Sequence, residues 1–77
     1  MRADTISMLK AAESRRAVLL RRLDQLPAKA KRASAYNTIM RLVGPTFIAA
    51  KAKDRGALID GAEFMLSVLE SLPRSAI

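Results

Sequence analysis

A chain of 77 residues with 14 Lys and Arg, seven Asp and Glu, no Cys and no His carries a formal charge of +7, and it excludes disulfides and thiolate or imidazole metal sites. The hydrophobic share is 51%, too high for a disordered chain, and 14 Ala against three Gly and three Pro select helix over strand. A single domain this small buries only about 60% of the surface its unfolded chain exposes, so self-association is the expected source of added stability. The expected architecture is therefore all-α: one helical domain over residues 1–77, a compact bundle of three to four short helices, associated as a homodimer.

The first helix is predicted from about Asp4 to Leu26, with Asp4 or Thr5 as N-cap. At 3.6 residues per turn, Ile6, Leu9, Ala12, Leu19, Leu20, Leu23 and Leu26 share one broad face. Leu9, Ala12, Arg16, Leu19, Leu23 and Leu26 also follow heptad steps, over fewer than three heptads. Pro27 breaks this helix and suits the first position of the next. That second helix, about Ala28 to Val43, turns Ala35, Tyr36, Ile39, Met40, Leu42 and Val43 inward. Gly44-Pro45 ends it, with Gly44 suited to a left-handed cap. Thr46–Lys53 reads as a short third helix, Asp54-Arg55-Gly56 as a turn with Asp54 a cap, and about Ala57 to Leu72 as the last helix, stopped by Pro73. Its apolar face is Leu58, Ile59, Ala62, Met65, Leu66, Leu69 and Leu72. Whether the last two helices merge is left open.

No window approaches the roughly 18–20 apolar residues that span a bilayer. The opening Met-Arg-Ala-Asp-Thr-Ile-Ser leads into charges instead of the apolar run of a secretory signal. An Arg-rich amphipathic start fits a transit peptide, but Asp4 and Glu13 oppose that reading. A cytoplasmic protein without a membrane partner is expected.

Charge is unevenly divided. Residues 1–53 hold 12 Lys and Arg against three acids, and residues 54–77 hold two Arg against four acids. Catalysis is not expected: general acid–base work favours His, and nucleophilic catalysis favours Cys or a Ser beside a base. Asp60 and Glu63, one turn apart, offer a cation two carboxylates, although such pairs commonly lie on a solvated face. Gly56 and Gly61 do not fit a phosphate loop. No cofactor and no small-molecule substrate is expected.

Binding is the remaining class. Arg15-Arg16 and Arg21-Arg22 form twin pairs on the first helix; Arg15 and Arg22 share a side, and such a cluster suits phosphates or simply keeps the surface solvated. Arg16 points to the centre of the apolar face and needs a partner: Glu13, a carboxylate of the last helix, or a carboxylate of another protein. Otherwise it packs its stem and extends its head to water. On the second helix Lys31, Ser34, Asn37, Thr38 and Arg41 share the face opposite the apolar stripe, and Arg and Asn are the side chains that read guanine and adenine edges. No helix-turn-helix pattern accompanies them. Tyr36, Phe47 and Phe64 belong to core or interface positions, which leaves single strands without stacking platforms.

Two readings follow. In the first, the protein is a nucleic-acid-binding regulator contacting duplex DNA or RNA through Arg15, Arg16, Arg21, Arg22, Lys29, Lys31, Arg32, Asn37 and Arg41. In the second, it is an adaptor, antitoxin-like partner or phage-type inhibitor that sets the same residues against an acidic protein surface.

Overall fold

The computed structural model describes residues 3–72, and all its regular structure is helical: α1 (Ala3–Asp24), a 3-10 turn (Ala30–Arg32), α2 (Ser34–Val43), α3 (Pro45–Ala49) and α4 (Ala52–Ser71). No helix among the described residues is long and apolar enough to cross a membrane.

Helix α1 begins a residue earlier than expected, so Asp4 lies inside its first turn. There its carboxylate accepts from the Thr5 amide at 3.0 Å and complements the positive helix end. The helix closes ahead of Leu26-Pro27. The amides of Gln25 and Leu26 still bond back to Arg22 and Leu23, and the residue before a proline is driven from helical geometry. The second helix does not start at Pro27. The chain passes through a turn and the 3-10 segment, extends at Ala33, and only then enters α2. Lys29, Lys31 and Arg32 have no acid within one turn to relieve their repulsion. Lys31 instead reaches back, its Nζ donating to the Asp24 carbonyl at 2.8 Å at the negative end of α1.

Gly44 separates α2 from α3, though not in the left-handed form expected of it: φ is −105° and ψ −112°. What requires glycine there is space, since a Cβ would lie 2.7 Å from the Met40 carbonyl oxygen. Pro45 occupies the first turn of α3, where its missing amide costs no hydrogen bond. The third helix is shorter than Thr46–Lys53, because the chain extends at Ala50 and Lys51 and the two last helices remain separate. Asp54-Arg55-Gly56 is not a turn. Asp54 falls in the first turn of α4, where an acid is favoured, and the helix runs on through Gly56. Leu72, the residue before Pro73, is extended and ends α4; Pro73 itself lies outside the described residues.

The core unites Ala12, Leu19, Leu23 and Leu26 of the α1 segment, Ala30, Ile39 and Val43, Phe47, and Ile59, Ala62, Leu66 and Leu69 of α4. Leu20, Ala35, Tyr36, Leu42 and Met65 pack around it, half-buried. Three residues expected inside are exposed: Ile6, Met40 and Leu72. Ile6 precedes the part of α1 that has neighbours, Met40 sits at the edge of the α2 stripe, and Leu72 lies past the end of α4. The radius of gyration is 13.5 Å, above the about 11.5 Å of a spherical domain of this length, consistent with extents of 48 × 17 × 16 Å.

Helix direction follows from the ion pairs. Arg15 pairs with Glu63 and Arg22 with Glu70, both 48 residues apart, so α1 and α4 run parallel. Helix α2 returns antiparallel. Its start lines a groove with the C-terminal half of α4, and its last carbonyl, at Val43, meets Arg16, next to the residue bound to Asp60 and Glu63.

Candidate functional site: the cationic surface

Sorting the cations by what they touch separates structural ties from free charge. Arg15 donates from Nε to Glu63 at 2.9 Å, and its Nη2 pairs with both Glu63, at 2.7 Å, and Asp60. Arg22 forms a two-pronged pair with Glu70, Nε lying 3.1 Å from Oε2 and Nη2 contacting Oε1. The fork geometry matches a carboxylate. It holds the Glu70 carboxyl below the usual glutamate range, chiefly through the hydrogen bond, and raises the Arg22 pKa further. The Arg15 pKa is likewise raised, first by its bond to Asp60 and then by Glu63. Asp60 and Glu63 do share a cation, and it is this guanidinium.

Arg16 combines the alternatives open to it. Its Nε donates to the Val43 carbonyl at the end of α2, Nη1 lies 3.7 Å from Glu13, and its guanidinium stands 5.3 Å from the centroid of the Phe47 ring. The side chain is one-quarter exposed, so the head reaches solvent while the stem packs. Arg55 completes this corner. It stacks 4.9 Å from the same ring and donates to the carbonyls of Ala50 (3.2 Å) and Ile48 (3.1 Å), capping α3. Buried Phe47 thus carries two guanidinium groups, and the ends of two helices find donors without any acid.

Of the nine residues expected at a binding surface, Arg15, Arg16, Arg22 and Lys31 are therefore engaged within the chain. Arg21, Lys29, Arg32, Asn37 and Arg41 are exposed, with no side-chain hydrogen bond or ion pair among the described residues. Lys10, Lys51 and Lys53 join them as exposed cations, a set that the expectation lacked. Against these seven free cations, only Asp4 and Asp54 among the described acids have no cationic partner. The net charge of the surface is carried by side chains that no acid among the described residues neutralises.

Their placement follows from the helices. Lys10 and Arg21 are eleven residues apart, three helical turns, and lie on the side of α1 opposite Ala12, Leu19 and Leu23. Lys29 precedes and Arg32 ends the 3-10 turn ahead of α2. Ser34, Asn37, Thr38 and Arg41 are all exposed on the face of α2 away from Ile39 and Val43, as their spacing predicts. Thr38 is partly committed, its hydroxyl donating to the Ser34 carbonyl at 3.2 Å. Asn37 and Arg41, one turn apart, keep their polar groups free.

Helix α4 presents a different exterior. Phe64 is 72% exposed, with Val68 and Leu72 beside it, and they border an open groove of about 420 Å³ against Ala33 and Ala35. Among the described residues, no group of Asp and Glu is arranged to hold a metal ion. No protein-family model, no curated protein and no solved structure matches the chain.

Proposed function

We propose that the protein is a small helical nucleic-acid-binding regulator that contacts duplex through Arg21, Lys29, Arg32, Asn37 and Arg41. The observation that carries this reading is the division of charge. Five of seven described acids are spent on internal pairs, and of the seven cations left over five lie on α1 (Lys10, Arg21), the connector (Lys29, Arg32) and the polar face of α2 (Arg41), with Lys51 and Lys53 at the start of α4. Unneutralised Lys and Arg bind phosphates by releasing condensed counterions, and each such contact contributes about 0.9 to the log–log salt slope. An Asn–Arg pair one turn apart on an exposed helix has the donors and acceptors for base edges in a major groove.

Gel-shift titration of nuclease-treated protein against duplex DNA and RNA over a salt series tests the proposal. Binding should weaken with salt, and Asn37→Ala or Arg41→Ala should weaken it at fixed salt. Absence of binding at low salt refutes the reading. Binding that disappears at modest salt and ignores both substitutions removes its sequence-reading part.

A protein target is the second reading, favoured by the exposed apolar strip of α4, since large apolar side chains in a continuous strip mark contacts with other proteins. Here an acidic partner would take the same cations, and a protein retained by the chain after nuclease treatment would distinguish it.

A further inference from the structure

The outward face of α4 has a pattern that the nucleic-acid reading leaves unused. Ala57, Gly61, Phe64 and Val68 follow steps of four, three and four, a heptad spacing that sets them in one row. The row lies opposite Ile59, Ala62 and Leu66, which face the core. The four residues carry no charge; of the acids that border them, Asp60 is held by Arg15, while Asp54, one turn before Ala57, is exposed and has no cationic partner among the described residues. A polyanion has nothing to grip here, whereas two copies of a basic chain repel least where neither presents a cation.

We propose that this face is the contact between two copies of the chain, paired antiparallel about a two-fold axis passing between Gly61 and Phe64. The row is small at one end and large at the other. An antiparallel two-fold therefore sets Gly61 against the second copy's Phe64 and Ala57 against its Val68, so every layer joins a small residue to a large one. A parallel pair would face Phe64 with Phe64 and leave two glycines opposed.

Two further observations point to a second copy of this chain. Gly61 sits in the middle of a 20-residue helix, where glycine weakens helix formation, and a Cβ there would meet nothing within 4 Å. Nothing among the described residues of its own chain accounts for the missing side chain, while a phenylalanine ring arriving from outside does. Gly56 is open too, but it lies one heptad before Glu63, on the edge toward α1. The ends also match. Lys53 is exposed and unpaired, and the last turn of α4 carries no basic residue. The same register brings Lys53 of each copy to Leu72 of the other, beside the negative end of its helix, and sets the adjacent Asp54 at Ser71.

Sedimentation equilibrium of the full chain, freed of nucleic acid, tests the pairing from micromolar to millimolar concentration. The mass should rise from 8.4 kDa toward twice that value. Phe64→Glu should raise the dissociation constant by about tenfold or more, with helical circular dichroism unchanged because the ring is outside the monomer's core. Gly61→Leu should also weaken pairing while raising the monomer's melting temperature, a combination that follows only if the glycine seats something from another molecule. The native chain lacks cysteine, so register can be read directly. Mixed Ala57→Cys and Val68→Cys variants should cross-link with each other in preference to themselves. A monomer at every concentration, a dimer indifferent to both substitutions, or preferential like-with-like cross-linking would each overturn the proposal. Dimerisation is read without nucleic acid, so this result stands apart from the gel-shift outcome.

Discussion

Replacing Arg22 by Ala separates structural from functional arginine most cleanly. The side chain is about one-third exposed, as is Glu70, and the two-pronged geometry places the pair at the upper end of what surface ion pairs contribute. Solvent screening limits that contribution to about 0.5–1 kcal/mol. For a domain of this size that corresponds to a fall in melting temperature of about 2–8 °C. The difference should shrink as ionic strength rises. It should also close at low pH. Glu70 has its pKa lowered from 4.5 in the fold, so its stabilisation is complete above that value and disappears as pH falls through the lower, folded value. Thermal melts followed at 222 nm, in low and high salt and from pH 7 down to about 3, measure all three effects. Glu70→Ala should lose as much, and the double variant should lose little more than either single one. No change in melting temperature, together with a drop of about 0.9 in the salt slope of duplex binding, would refute the assignment and make Arg22 a phosphate contact.

Other outcomes follow from the same packing. Gly44→Ala should destabilise by about 1–3 kcal/mol in urea titrations, because its Cβ would press on the Met40 carbonyl oxygen. Ile59→Ala, at a position with no solvent exposure, should cost about 2–5 kcal/mol and leave the chain largely unfolded at 25 °C if its total stability is near that figure. Arg55→Ala removes the donors for Ile48 and Ala50 and one of the two cations on Phe47. Hydrogen exchange should then quicken in residues 45–50 before it does in α1.

Periodicity carried the fold a long way. Leu19, Leu23, Ile39, Val43, Ile59 and Leu66 are buried where their spacing puts them, because a 3.6-residue repeat of bulky apolar side chains has few alternatives in a chain with so little Gly and Pro. Local turn signals were less dependable. Asp54-Arg55-Gly56 resembles a turn in isolation, but its Asp suits a helix start and its Arg is drawn to the carbonyls of α3, so the helix absorbs all three. Pro27 shows the reverse: a residue suited to opening a helix is followed by crowded cations, and α2 waits until Ser34.

Legibility of the candidate site was divided in the same manner. The polar face of α2 from Ser34 to Arg41 could be read from spacing alone and is exposed as expected, whereas Lys31, expected on the same face, precedes the helix and is tied to Asp24. Which arginines are free could not, because pairing depends on how helices 48 residues apart are set against each other. A trace of it was present: Arg15 and Arg22 are separated by seven residues, as are Glu63 and Glu70, a matched repeat that fits two parallel helices. The acids Asp60, Glu63 and Glu70 of α4 are turned to the arginines of α1.

The central claim is that the free cations of the connector and α2 hold a polyanion while the paired arginines hold the fold. The salt slope of duplex binding by the triple variant Lys29→Ala, Arg32→Ala, Arg41→Ala tests it most directly. If each residue neutralises one phosphate, the log–log slope should become shallower by about 2.7, with the melting temperature preserved because all three side chains are exposed and unpaired. A slope equal to that of the native chain, or no duplex binding by the native chain at low salt, would contradict it.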